Sequence, residues 1–448
     1  MRAFIASAIG VTCSAVLVLP LAAPAGAASD TTVTAETEAA DPVEVPGSTQ
    51  SLPLTALPAA STRATGAPTE DAATVEQGLP QRDVRPFSLV GVVWNDADVE
   101  LNGTVQVRTR ATGTTHWSDW QELETHNAEH GADPGTAERD SGTVRGSTAP
   151  LWVGDSDGVE VRVSPEVTDV RDRDSGASVP LPDGLRLELV DPGKDPQQLP
   201  SAGPGAAAGS RDSRAPSSEP LVLPALSKAE TEAESEAEDG VAPGTKPYIG
   251  PRPTIITRKG WGADETLRES TFVYTKSVKA AFIHHTATGN TYTCAQAASV
   301  LRGIYRYHVA SSGWRDIGYN FAVDKCGTIY EGRAGGVTKP VQGAHTLGFN
   351  ADSMGIAVLG TFTTSKPPTA VVNAVAELTA WKLGLFGADP SGSTTLVSGG
   401  GNRFKKGTKV KLKVISGHRD GFVTECPGER LYEKLGTART TSARLQGR

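Results

Sequence analysis

Val278-Lys279-Ala280-Ala281-Phe282-Ile283-His284-His285 is a mostly apolar run that ends in two adjacent histidines. A short run of this kind reads as a buried strand. Successive strand side chains point to opposite faces, so one imidazole of the pair faces a given site and the other packs or hydrogen-bonds elsewhere. Far downstream, Val414-Ile415 leads another strand into Gly417-His418, and Cys426-Pro427 follows after a short loop. Two imidazoles and a thiolate (one histidine of the His284-His285 pair, His418 and Cys426) are the ligand set of a Zn2+ ion with one coordination position left open. Such an ion activates water at neutral pH, which suits amide hydrolysis.

Working outward from that strand, Thr293 can cap a helix whose residues Ala297, Leu301, Ile304, Tyr305 and His308 recur at helical spacing, with Gly313 just past its end. Ile317 to Val323 reads as a strand, Lys325-Cys326-Gly327 as a turn and Thr328 to Glu331 as the returning strand. Met354 to Leu359 is a further buried strand. Pro367-Pro368 opens a second helix through Val372, Val375, Ala376, Thr379 and Leu383, closed by Gly384. Pro427-Gly428 starts a short last helix through Leu435. Strands mixed with long helices predict an α/β domain with a mixed central sheet, over residues 249–437, and a flexible tail at 438–448.

The N-terminal half has a different character. Residues 1–27 read as a secretory signal: Arg2, an apolar stretch from Ile9 to Leu21, and the small-residue cleavage site Ala25-Gly26-Ala27. The apolar stretch falls short of the roughly 20 residues a membrane span needs, and no membrane span is expected elsewhere. Residues 28–83, rich in Ala, Thr, Pro and Glu, read as a disordered linker. Alternating runs such as Val105 to Arg110, Val159 to Val163 and Leu185 to Leu189, separated by Gly-rich turns, predict an all-β sandwich-like accessory domain over 84–195. Residues 196–248 read as a second linker, Pro/Gly-rich and then acidic from Glu230 to Asp239, a self-repelling spacer.

Of four cysteines, Cys13 leaves with the signal, and the remaining three are an odd count for an exported chain. Pairing Cys294 with Cys326 leaves Cys426 for the metal; either rival pairing would consume that ligand. The net charge of −8 is unevenly spread: from Pro251 onward there are 26 Lys+Arg against 13 Asp+Glu. A basic half is drawn to polyanions. The export signal favours anionic wall polymers as partners over nucleic acid. His308 reads as a structural histidine, Trp261 and Trp314 as packing residues. His116, His126 and His130 of the accessory region fit no metal-ligand spacing.

Six blocks stand in order: Phe282-Ile283-His284-His285-Thr286-Ala287; Trp314-Arg315-Asp316-Ile317-Gly318-Tyr319-Asn320-Phe321; Gly327 to Arg333; Gly343-Ala344-His345 with Asn350; Gly355 to Gly360; and Gly417-His418-Arg419-Asp420 with Thr424-Glu425-Cys426-Pro427-Gly428. Over residues 250–437 the chain resembles the peptidoglycan recognition protein family of zinc N-acetylmuramoyl-L-alanine amidases, and the domain order resembles its secreted actinobacterial members. The resemblance implies His284, His418 and Cys426 as zinc ligands, Tyr319 and Thr424 as catalytic residues, and His345 and Asn350 as lining the peptide groove. It implies peptidoglycan muropeptides as substrate and a location outside the cell, at the wall. Family members that bind without cutting typically carry Ser at the cysteine position, so a non-catalytic binding protein is the alternative that Cys426 argues against. Ala334-Gly335-Gly336-Val337 departs from animal members, and the Lys-rich segment Ser398 to Lys413 reads as an insertion, more a solvated hairpin face than a polyanion contact.

Overall fold

A computed structural model describes residues 47–58, 75–125, 127–168, 177–195, 220–239 and 248–448. The export signal, with Cys13, and His126 lie outside the described residues. All the described residues belong to one compact unit, Glu44–Arg448.

The C-terminal part is the expected α/β domain. Its seven-stranded mixed sheet runs, in order, Val222–Leu223, Ile255–Ile256, Ile329–Glu331, Phe321–Val323, Ser353–Val358, Ala280–His285 and Ile415–Gly417. The histidine-bearing strand is an inner strand one in from the sheet's edge, parallel to both Ser353–Val358 and Ile415–Gly417. That explains its near-continuous apolar character, because a strand covered on both faces has no solvent side to keep polar. One face is covered by the helix Thr369–Gly384, whose Val371, Val375, Leu378 and Trp381 join the sheet in one core. The other face carries the helix Ala297–Arg306, continued by a π-helical turn at Tyr307–Ser311. Thr293 and Gln296 form the capping box at its start, with Thr293 N–H donating to Gln296 Oε1 at 2.8 Å. Cys294 and Cys326 are disulfide-bonded, pinning this helix start to the turn after Phe321–Val323.

The N-terminal part is an eight-stranded antiparallel sheet built around two long strands, Gln77–Trp94 and Leu151–Pro165, with irregular register between them. Those irregularities curl the sheet, as bulges do, until strands far apart in its order share one core. Val105 and Val107 from Gly103–Ala111 and Leu187 and Leu189 from Arg186–Asp191 meet Val90, Val92, Val159 and Val161 there. Trp94 and Trp152 are buried, whereas Trp117 and Trp120 are half-exposed and stack on Arg108, Arg110 and Arg162.

Three expected boundaries are corrected. Ser48–Pro53 and Gln77–Asp83, expected in a linker, are sheet: Ser48–Pro53 pairs antiparallel with Arg186–Asp191. These segments are half-solvated, so no apolar alternation marks them. The acidic run, expected as a spacer, is the helix Lys228–Asp239. Ser227 and Glu230 cap it reciprocally (Ser227 N–H to Glu230 Oε2, 2.8 Å), and Arg252 anchors it through Glu234 at 2.6 Å. The tail expected at 438–448 is the helix Leu435–Gln446, packed on Thr369–Gly384 with Ala438, Ser442, Ala443 and Gln446 buried. After Leu435 it buries only small and polar side chains, so it carries little apolar periodicity.

The two halves share a second core. Leu89, Val93, Trp152 and Val190 of the β part pack with Ala297, Leu301, Ile304 and Tyr307 of the α/β part. Gly91 is required at this contact: a Cβ there would lie 2.4 Å from the Tyr307 hydroxyl.

Candidate active site

His284 lies at the C-terminal end of Ala280–His285, and His418 leaves the neighbouring parallel strand at the start of a short helical turn, His418–Gly421. Parallel pairing brings both to the same end of the sheet, the usual place for a site in an open α/β sheet. The loop after His418 returns Cys426, held by its N–H to Thr424 Oγ1 (3.1 Å) and by Arg419 N–H to its carbonyl (3.0 Å). The three expected ligands therefore meet, with Cys426 Sγ 3.8 Å from His284 Nδ1. His285 turns away: its Nδ1 accepts from Phe362 N–H at 3.3 Å, and its Nε2 faces Glu124.

A fourth group joins them. His130, from the 3₁₀ turn Ala128–His130 of the β part, offers a ring nitrogen to the same point. One donor atom from each of His130, His284, His418 and Cys426 lies within 4.8 Å of the other three, and all four residues are buried. The His130 ring centroid is 4.5 Å from that of His418 and 5.3 Å from that of His284. This corrects the reading that His130 fits no metal spacing: no local spacing exists, because its partners lie in another part of the chain.

The donor set fits a zinc ion. Neither ring nitrogen of His130 or of His418 has a hydrogen-bond partner although both rings are buried; the carbonyls of Asn127 and Glu129 lie near without hydrogen-bond geometry. A buried polar group without a partner costs about 1–3 kcal/mol, so orphans clustered at one point call for a shared cation. Burial, then the neighbouring imidazoles, holds His284 and His418 well below the ordinary histidine range and His130 at about 3. The imidazoles are thus neutral, as metal ligands must be. Burial also pushes the Cys426 thiol up, with Glu124 and Glu129 adding to the effect; a bound cation reverses that, because a coordinating thiol is deprotonated. Behind the ligands, Thr346 Oγ1 sits 3.4 Å from His284 Nε2 and 3.0 Å from His345 Nδ1, a supporting contact of the kind that orients metal-bound histidines.

The other expected residues fall around this cluster. Tyr319 is buried, its ring 5.5 Å from His284 and 5.9 Å from His130. Thr424 donates its hydroxyl to Glu129 Oε1 at 2.9 Å. His345 and Asn350 are fully buried. Asn350 Oδ1 accepts from the His345 and Thr346 amides, and its Nδ2 donates to Gly131 O and Asp133 Oδ1 of the β part. His308 packs on Trp314, and Trp261 donates its indole N–H to Glu331 O in the core; these are structural placements, as expected. The Lys-rich segment is the hairpin Ser393–Val397 with Lys409–Lys413, which exposes Lys409, Lys411 and Lys413 and buries Val410 and Leu412.

Residues 274–429 match the N-acetylmuramoyl-L-alanine amidase family, and residues 31–198 match the Rv3811 N-terminal galactose-binding domain-like family. Peptidoglycan-recognition protein SC2 of Drosophila melanogaster is 32% identical over 184 residues, 41% of this chain and 85% of that protein. Peptidoglycan-recognition protein 1 of Holotrichia diomphalia is 30% identical over 184 residues, 41% of this chain and 79% of its own length. Among solved structures, wild-type Drosophila PGRP-LB shares 26% identity across 41% of this chain and 92% of that chain, with a TM-score of 0.33.

Proposed function

This chain belongs to the peptidoglycan recognition protein and N-acetylmuramoyl-L-alanine amidase family, and on that premise we propose that it is a secreted zinc amidase of the cell wall. The bond cut is the amide between the lactyl group of N-acetylmuramic acid and L-Ala of the stem peptide. One observation carries the reading: the buried imidazoles of His284 and His418 and the buried Cys426 thiol converge on one point, and neither ring nitrogen of His418 has a hydrogen-bond partner there. A protein that only bound the wall would have no use for that arrangement.

His284, His418 and Cys426 would hold the zinc ion. When bound, it supplies a Lewis acid that acidifies water and polarises the scissile carbonyl. Thr346 and, through it, His345 fix the orientation of His284. The Tyr319 and Thr424 hydroxyls serve as donors to the oxygen that gains negative charge as water adds. Loss of one such donor costs about 10²–10³ in rate. Asn350 and His345 shape the floor on which the stem peptide rests. The Cys294–Cys326 disulfide suits an oxidising compartment outside the cytosol. Among the described residues no helix is long and apolar enough to cross a membrane.

The test is digestion of purified muropeptides by the zinc-loaded chain, followed by mass spectrometry. Free stem peptides should appear, and a chelator should abolish them. Wall binding without release, unchanged in Cys426→Ser, would establish the binding-protein alternative instead.

A further inference from the structure

We propose that His130 is a fourth ligand of the metal, presented by the accessory domain, so that the chain as folded is a latent form whose active site is closed. The inference rests on the zinc reading above. A catalytic zinc site keeps one position open, whereas a site with four protein ligands is closed. A ring nitrogen of His130 lies within 4.8 Å of a donor atom of each of the other three, and neither of its ring nitrogens has a hydrogen-bond partner. A metal bond would offset the cost of burying that imidazole unpartnered.

The segment that carries His130, residues 127–141, is tied across the site at several points. Glu129 O accepts Leu347 N–H at 2.7 Å, and Glu129 Oε1 accepts the Thr424 hydroxyl. Asp133 Oδ1 accepts Gly348 N–H and Asn350 Nδ2, each at 2.7 Å. Glu138 and Arg333 form a buried two-pronged ion pair, with 2.8 Å at each prong. The same segment thus takes the metal's last position, the hydroxyl assigned to the oxyanion and the amide assigned to the groove. What remains beside the cluster is a cavity of about 10 Å³ lined by Glu124, His130, His285, His308 and Tyr319, room for about one water and not for a muramyl peptide. The ties are polar and belong to the loop, while the body of the domain is fixed through the apolar shared core. Opening is therefore a lifting of the loop, with the domain staying in place.

The experiment uses the full chain loaded with Co2+ in place of zinc and acetohydroxamate as the probe of an open position. Wild-type protein should show a cobalt absorption spectrum indifferent to the hydroxamate. His130→Ala should bind cobalt, change its spectrum on adding the probe, and, as zinc protein, release stem peptides faster. If the open form is about 1–10% of the wild-type population, removing the closed form raises turnover about ten- to a hundredfold. Glu138→Gln, which keeps all four donors and loosens a tie, should move both readouts the same way by less. A wild-type spectrum that responds to the probe as readily as His130→Ala, with equal turnover, overturns the inference while leaving the amidase intact. Cobalt bound and probe response confined to His130→Ala, with no cleavage by any form, supports the ligand and overturns the amidase reading. Failure of the wild-type chain to take up cobalt overturns both.

Discussion

Two of the contacts between the β part and the α/β part are built from different chemistry. At the shared core, Leu89, Val93, Trp152 and Val190 meet helix residues Ala297 to Tyr307 with water excluded. Over the His/Cys cluster, residues 127–141 make contacts that are almost all hydrogen bonds or ion pairs. Burial of each large apolar side chain stabilises by about 1.5–3 kcal/mol with no need for a defined partner geometry. A neutral intramolecular hydrogen bond nets only about 0.5–1.5 kcal/mol, because water offers the same bond to the released groups, and the attraction in the buried Glu138–Arg333 pair is offset by the desolvation that release restores. The first contact is therefore permanent and the second reversible. A domain attached in this way can cover a site and uncover it without leaving.

The largest effect that would test this contrast lies in the shared core. Trp152→Ala should destabilise the whole chain by about 3–5 kcal/mol, seen by calorimetry as one lowered transition for both parts. Two separate transitions in the wild-type chain would break the comparison at once. Next comes Gly91→Ala, which drives a methyl into the Tyr307 ring and should cost about 1–3 kcal/mol by overpacking, again in the common transition. Glu138→Gln should behave differently. The weakened tie should speed hydrogen exchange of the 127–141 amides about tenfold while the thermal midpoint stays near that of the wild type, the signature of local opening. A midpoint lowered as far as by Trp152→Ala would show that the loop and the core are one cooperative unit. The smallest expected change is at the hairpin: Lys411→Ala should alter stability by no more than about 0.5 kcal/mol and slightly weaken retention on anionic wall polymer at low salt.

The same two places separate what the sequence discloses from what it hides. One histidine of the His284-His285 pair, His418 and Cys426 could be found from residue type and loop length within one domain, and the choice of His284 came from the family resemblance. The Cys294 and Cys326 pair followed from an odd cysteine count once Cys426 was reserved for the metal. His130 carried no such mark: its partners are more than a hundred residues downstream, and its burial depends on how two domains pack. The segment around it, Asn127-Ala128-Glu129-His130-Gly131-Ala132-Asp133, offered one signal, a cluster of polar groups too dense for a plain turn. The helix Lys228–Asp239 was legible and missed. Ser227-Lys228-Ala229-Glu230 is a capping box, and its acidic composition masked it. The helix Leu435–Gln446 was not legible beyond its first residue, since after Leu435 the side chains it buries are small or polar.

Zinc stoichiometry of the purified full chain, measured by plasma mass spectrometry for the wild type beside Cys426→Ser, bears most directly on the proposal that a metal organises this site. The account predicts one zinc per wild-type chain and little or none in the variant. A wild-type chain that is metal-free after purification in the presence of zinc, yet still releases stem peptides from muropeptides, would contradict it.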